Sequence, residues 1–357
     1  MADAPSELNL RTRPLRLAKD VGKAALDRSG LPYRTRLWMV RRGFKPSNYL
    51  LYDLAKNDVD DYVPDDMWSK LCASNGRLGI HILGSKLLFH HTFEDELQLA
   101  ELHGHIARGR FTPRRTDAAG ANDDLLSLLH EVGAIVVKPI DGQKGKSVHL
   151  LAVAETGALE LDGRGVTAPE LGAWLGRQDS MLVHGRVQQT GYAHAIFPGS
   201  ANTVRFVTVT DADGPFVLCG SHRFGRRVSA PVDNFAAGGL LCGIDLATGA
   251  LSLGASSPAV GESHLTWHSV HPDTGTQVAG QVVPGFFELV DLLLATCRRH
   301  PYLAYVGWDV VMTDDGPVVL EANYGSGLQL QMNGGFLRNE RFARFVESVR
   351  ASERGAR

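Results

Sequence analysis

Residues 306 to 325, VGWDVVMTDDGPVVLEANYG, form two apolar runs around a TDDGP turn, yet they carry Asp309, Glu321 and Asn323. A turn centred on Asp315 sets Asp309 directly opposite Glu321, with Cβ atoms about 4.5–5.5 Å apart. The period of two puts Asn323 on the face of Glu321. The same register assigns Val311 and Val319 to that face, and Val310, Met312, Val318 and Leu320 to the other. A hairpin apolar on both faces is covered on both sides, and two carboxylates this close would repel and lose hydration. A positive charge is therefore expected between them. Three hard oxygen donors, without His or Cys, suit Mg²⁺ better than zinc. A solvent-open sheet end would relieve the same repulsion, and spacing alone does not separate the two readings.

A second segment with chemical potential is AIVVKPIDGQKGKSVHLLAV, residues 134 to 153, read as strand, glycine-lysine loop and strand. A Walker A loop would need glycine at Ile140 and a following helix, and this segment has neither. A hairpin tip carrying Gly142, Lys144, Gly145, Lys146 and Ser147 can instead close over phosphates with backbone N–H groups and ammonium charge. Lys138, at the end of the apolar strand, either snorkels outward or reaches a phosphate. GSANTVRFVTV, residues 199 to 209, sets Asn202 and Arg205 at the start of a strand, and GSHRFGRRV, residues 220 to 228, sets Arg223 at the end of its hairpin partner. Two arginines at adjacent strand ends offer bidentate donors to a phosphate or a substrate carboxylate. APVDNFAAGGLLCGID, residues 230 to 245, adds Asp233, Asn234 and a Gly238-Gly239 step whose backbone can approach a ligand closely. Taken singly, each of these is also read as a surface ion pair or an ordinary turn; their order along the chain gives them weight.

The elements that must carry these residues are α+β. Short β runs separated by glycine turns are expected at 134–139, 148–154, 181–187, 203–210, 216–222, 306–312 and 318–322, with TDADGP and TDDGP joining neighbours into antiparallel hairpins. ANDDLLSLLHEVGA opens with an Asn/Asp cap and ends near Gly133, as a short helix should. PGFFELVDLLLATCRRH, residues 284 to 300, predicts a strong helix with Pro284 at its start and basic residues at its end. LGIHILGSKLLFHHTF reads as a short strand-like stretch followed by a helix. Residues 1–75 are expected to be an α-rich basic region and 76–133 an α/β substrate or linker region. A small subdomain bearing the glycine loop would follow at 134–185, then a large subdomain bearing the metal hairpin at 186–349 and a tail at 350–357.

The 357 residues are 44% hydrophobic, ample for a large core. A formal charge of -2 gives no global polyanion-binding signature, so no nucleic-acid partner is expected. Charge is local instead: residues 1 to 50 hold eleven Lys/Arg against four acids, either a solvated helix face or a site for peripheral contact with an acidic membrane or partner. Neither a signal peptide nor an 18-residue apolar run is present in the sequence, so the expected location is cytoplasmic. Cys72, Cys219, Cys242 and Cys297 form no CxxC pair and read as reduced packing residues. The α-rich leader could serve as a homodimer contact.

The order of these features, a lysine before a glycine loop, a mid-chain hinge strand, arginine strands, a DNF-GG segment and an Asp…Glu-x-Asn hairpin, resembles the ATP-grasp superfamily. NTVR (202–205), VDNFAAGG (232–239), HPDTG (271–275) and GWDVVMTDDGPVVLEANYGSG (307–327) resemble the sugar-transfer-associated ATP-grasp family. The resemblance implies ATP gripped between two α+β subdomains. Lys138 would bind the α or β phosphate, and Gly142 to Ser147 would lid the γ-phosphate. The hinge, with Leu182, Val183, His184 and Val187, would meet adenine through its backbone. Asp309, Glu321 and Asn323 would hold one or two Mg²⁺. Arg205 and Arg223 would stabilise the transferring phosphoryl group, and Lys86 matches a basic position ahead of the nucleotide site. Asn202, Asp233, Asn234, Gly238 and Gly239 are the expected substrate-side residues. Family members tend to have IEERI at the hinge, whereas this chain has LVHGRV, so ribose recognition does not carry over. The activity implied is an ADP-forming carboxylate-amine ligase working through an acyl-phosphate, with small-molecule substrates in natural-product or polysaccharide-related biosynthesis. A phosphotransferase acting on a hydroxyl would use the same ATP and metal residues. A nucleotide-binding partner protein with little turnover is the third reading.

Overall fold

A computed structural model describes residues 19–114, 124–141, 147–257 and 265–355. The chain divides into two compact units: Met1–Ser74 with Pro258–Thr266 and Gly327–Arg357, and Asn75–Ser257 with Trp267–Ser326. The first unit holds helices at 19–26, Tyr33–Arg41 and Trp68–Ala73, and the last of these packs on the C-terminal helix Glu340–Gly355. The returning segment is pinned by polar contacts in an apolar setting. Gln331 accepts from the Val63 amide at 2.7 Å and donates to the Val63 carbonyl at 3.2 Å, and buried Tyr52, stacked on Tyr62, donates to the Leu328 carbonyl at 3.1 Å. Among the described residues, no helix is long and apolar enough to cross a membrane.

The second unit holds two seven-stranded sheets. The first comprises β1 (Leu102–Ala107), β2 (Arg110–Pro113), β3 (Ala134–Pro139), β4 (His149–Val153), β5 (Leu159–Leu161), β6 (Arg164–Val166) and β7 (Met181–Gly185), in the order β2-β1-β7-β3-β4-β5-β6. The second comprises β8 (Val204–Asp211), β9 (Gly214–Phe224), β10 (Leu240–Ile244), β11 (Leu251–Ser256), β12 (Thr266–His268), β13 (Tyr305–Thr313) and β14 (Gly316–Asn323), in the order β12-β11-β10-β9-β8-β13-β14. Strands pair antiparallel throughout the first sheet and from β11 to β14 in the second.

Each sheet buries one face against helices. Helix Leu125–Val132 starts at Asp124, whose carboxylate accepts from the Leu126 amide, and ends at Gly133 with φ +76°. Its Leu125, Leu128 and Leu129 join Ile135, Val137, Met181 and Val183 in the core of the first sheet. Helix Phe286–Arg299 buries Phe286, Leu289, Leu293 and Cys297, spaced for one helical face, against Phe206, Trp308 and Val310 of the second. The four cysteines are free thiols, and burial raises those of Cys72 and Cys297 to about 11.

The strand expected near LGIHIL is instead the helix Gly76–Gly84, with Gly79, Ile82 and Leu83 buried. Its apolar residues recur at helical spacing, which outweighs the brief alternation that suggested a strand.

The site hairpin also differs in register from expectation. Thr313 pairs with Gly316 around a two-residue Asp314-Asp315 turn, and Gly316 takes φ +108°. A bulge then leaves Leu320 as the extra residue, so Val310 faces Val319 while Asp309 faces Glu321. Val318 therefore shares the Asp309 face, and Val319 joins Val310, Trp308 and Ala322 in the core. The expected faces of these two valines are exchanged. The Asp309-Glu321 pairing survives because the bulge compensates for the shorter turn.

Candidate functional site

One rung of the second sheet carries the chemistry. Gly243 on β10 pairs with Ser221 on β9, Ser221 with Arg205 on β8, Arg205 with Asp309 on β13, and Asp309 with Glu321 on β14. Residues in register across a sheet share a face, so this rung points away from the hydrophobic core on the other side. The neighbouring rung sets Gly307 opposite Asn323. Glycine is required there: a Cβ at Gly307 would lie 2.7 Å from the Ser326 hydroxyl and 3.3 Å from an Arg205 nitrogen.

Asp309 is only 4% exposed and is held by two guanidiniums. Arg205 grips both its oxygens in a fork, and Arg223 donates to Oδ1 at 2.9 Å. Burial pushes the Asp309 carboxyl up, but the charges of Arg205 and Arg223 outweigh it and hold the pKa below the usual range. Arg223 continues the chain of charges, with Nε 3.4 Å from Asp233 and 2.9 Å from the Thr203 hydroxyl. Asp233 accepts from the Thr203 amide at 2.9 Å, and burial raises its pKa. Lys86 lies 3.5 Å from Glu321, whose side chain remains 28% exposed. The positive charge expected between the two acids is therefore supplied by the chain itself, and their burial does not by itself require a metal.

The donor set still fits Mg²⁺. The Asn323 amide nitrogen lies 3.4 Å from an Asp309 oxygen and 3.3 Å from a Glu321 oxygen, so the three side chains converge on one point. Among the described residues, no three His, Cys, Asp or Glu side chains form a metal cluster, and the Asn323 amide, which presents its NH2 to both carboxylates, would be a third donor once turned to present its oxygen. Hard carboxylate and amide oxygens are what Mg²⁺ takes. Because the arginines occupy Asp309, Glu321 and Asn323 hold the accessible lone pairs. Both border a small pocket with Gly84, Lys86 and Phe89.

Lys138 approaches from the first sheet. It is 9% exposed and donates to the carbonyl of Leu320, the bulge residue, at 3.3 Å. Burial lowers its pKa to about 8, partly offset by Glu321 and reinforced by Lys86. The Lys86 amide donates to the Ile140 carbonyl at 2.9 Å, tying the helix Lys86–Phe93 to the end of β3. Ser147 is exposed with φ +58°. Gly142, Lys144, Gly145 and Lys146 lie outside the described residues.

β7 pairs with β1 on one side and β3 on the other, so the backbones of Leu182, Val183 and His184 belong to ladders. Val187, the other expected hinge residue, lies beyond the strand end at Gly185. His184 shares the Lys138 face, and its Nδ1 donates to the Ala100 carbonyl at 3.2 Å. Burial, reinforced by Lys138, keeps the ring neutral, and among the described residues its Nε2 has no hydrogen-bond partner.

The expected substrate-side residues separate into two kinds. Asn202 donates to the Ala193 and Phe197 carbonyls at 3.0 and 2.7 Å and accepts from Ser200 and the Gly225 amide. Its amide is consumed inside the protein, so it positions the Thr203 strand end and does not face a substrate. Asn234 caps the turn Phe235–Ala237, and Gly238 adopts φ +101°. A Cβ on Gly239 would lie 2.5 Å from the Asp233 carbonyl, so the close approach serves the chain's own backbone. Of this group Asp233 alone joins the charged network, through Arg223. Thr203, Ser221 and Gly307 were not anticipated; Thr203 stands inside NTVR, where its place between Asn202 and Arg205 was the available signal.

The sequence matches the family model described as sugar-transfer associated ATP-grasp over residues 72–346. No curated protein matches it. Similar solved structures include D-cycloserine synthetase, 12% identical with a TM-score of 0.41 and 96% of each chain covered. D-alanyl-alanine synthetase A from Vibrio cholerae is 10% identical with a TM-score of 0.41, covering 75% of this chain and 65% of that one. An N5-carboxyaminoimidazole ribonucleotide synthetase in complex with ADP is 9% identical with a TM-score of 0.39; this chain is covered over 69% and spans less than half, 46%, of that protein. With its matched span covering the arginine strands, the DNF-GG segment and the Asp309-Glu321-Asn323 hairpin, the chain belongs to the sugar-transfer-associated ATP-grasp family.

Proposed function

We propose that the protein is a Mg-ATP-dependent carboxylate-amine ligase that works through an acyl-phosphate. The observation that carries this reading is the charged rung: Arg205 and Arg223 fixed on buried Asp309, beside Glu321, Asn323 and two lysines. Mg²⁺, when bound, supplies positive charge to the ATP phosphates; Glu321 and Asn323 would hold it, with Asp309 behind them. Lys138 and Lys86 bind phosphate oxygens from the opposite side. In exchanging its carbonyl partner for a phosphate, Lys138 recovers the charge that burial weakens.

Arg205 and Arg223 need no reorganisation to act, since Asp309 and Asp233 already orient them. A carboxylate oxygen of the substrate attacks the γ-phosphorus and ADP leaves. The amine nitrogen then attacks the acyl carbon, and phosphate leaves as the amide forms. Preorganised guanidiniums stabilise the charge that develops on the phosphoryl oxygens in the first step. The test is incubation with ATP, Mg²⁺, pooled carboxylic acids and hydroxylamine. ADP release with hydroxamate formation supports the ligase. A phosphoester of a hydroxyl substrate, with no hydroxamate, would replace it with a phosphotransferase.

A further inference from the structure

The first compact unit carries a basic surface with exposed apolar side chains. Residues 19–45 hold eight Lys/Arg against Asp20 and Asp27, in a chain whose overall formal charge is -2. The helix at 19–26 turns Ala24 inward at 0% exposure, so Lys19, Lys23 and Leu26, spaced i, i+4, i+7, share its outer face. Leu26 is 83% exposed.

In the helix Tyr33–Arg41 the buried residue is Met39. Arg34 and Arg41 are exposed on the opposite face, where Leu37 and Trp38 are half-buried, Trp38 standing edge-on to Tyr49 with ring centres 6.5 Å apart. The guanidinium of Arg42 lies 4.5 Å from the centre of the Trp38 ring. Among the described residues, Lys19, Lys23, Arg28, Arg34 and Arg41 make no ion pair.

We propose that this face docks on an anionic lipid bilayer. Cations alone would suit any polyanion, but a soluble polyanion gives no reason to expose Leu26 and Tyr33 among them. A bilayer interface takes both: phosphates and anionic headgroups meet the Lys and Arg heads, while the exposed Leu26 and Tyr33 side chains enter the headgroup-acyl boundary. A second copy of the chain would bring like charges together across the contact. The docking stands independently of the ligase reading.

The test is co-sedimentation of the full chain with phosphatidylglycerol-containing vesicles and with pure phosphatidylcholine vesicles. Binding to the anionic vesicles alone, weakened by salt, is expected. Arg34→Glu with Arg41→Glu should lower the partition coefficient by about tenfold or more. Bromine on the lipid acyl chains should quench tryptophan emission, and Trp38→Phe should reduce that quenching while near-ultraviolet circular dichroism confirms the fold. Equal binding to both vesicle types, an unchanged partition coefficient in the charge-reversal variant, or binding to heparin without binding to vesicles would overturn the proposal.

Discussion

Replacing Asp309 by Asn separates the two roles that the site hairpin combines. The carboxylate is 4% exposed and ligated by two guanidiniums whose side chains are themselves only 13% and 17% exposed. Asn keeps the shape and one acceptor oxygen but leaves two buried cations with a single carboxylate, that of Asp233. Removing one partner of a buried ion pair costs about 3–5 kcal/mol, and the retained acceptor sets the expectation near about 3 kcal/mol. Glu321→Gln is the internal comparison. Glu321 is 28% exposed and meets Lys86 at 3.5 Å, so its loss should cost only about 0–1 kcal/mol. Urea unfolding followed by circular dichroism reads both values. The argument that Asp309 organises the arginines fails if Asp309→Asn unfolds within about 1 kcal/mol of wild type, or no earlier than Glu321→Gln.

Lys138, at about 8 in the folded protein against an ordinary value of 10.5, has the opposite sign of linkage from a salt-bridged lysine. Between these values the unfolded chain binds the extra proton, so the destabilisation is fully present below about pH 8 and is relieved as pH rises toward 10.5. Lys138→Met should therefore unfold later than wild type at pH 7, with a smaller gap at pH 10, while losing ATP affinity. Wild-type ATP binding above pH 8 should take up a proton, seen calorimetrically as a dependence of the heat on buffer ionisation. Gly239→Ala brings a Cβ to 2.5 Å from the Asp233 carbonyl and should cost about 1–3 kcal/mol in unfolding measurements, because backbone must shift.

Much of the architecture was legible. The helices around 125–132 and 286–299 announce themselves by an Asp cap, a left-handed glycine and a single apolar face, all of which are local. Strands β3, β8, β9, β13 and β14 were readable because each is an apolar run bounded by a turn whose residues fit the geometry. The swapped faces of Val318 and Val319 show where reading stops: a bulge depends on how an entire strand matches its partner, and no local residue type marks Leu320 as the extra one. The helix Gly76–Gly84 was missed because three glycines and a histidine dilute its apolar pattern.

The candidate site followed the same division. Asp309, Glu321, Asn323, Arg205 and Arg223 were each visible as polar residues in apolar strands. That the arginines would neutralise Asp309 depends on β8 lying between β9 and β13, a long-range pairing absent from any local window. Asn202 shows the converse. Its residue type suited a ligand, but the carbonyls of Ala193 and Phe197 had already claimed it.

The most direct test of the central claim is calorimetric titration of ATP into wild type and Glu321→Gln, each with and without Mg²⁺. Wild type should bind more tightly with the metal. The variant, folded as stably as wild type to within about 1 kcal/mol, should lose that metal-dependent gain. Undiminished Mg²⁺ dependence in the variant, or no ATP binding by either protein, would contradict the assignment of Glu321 and Asn323 to a nucleotide-bound metal.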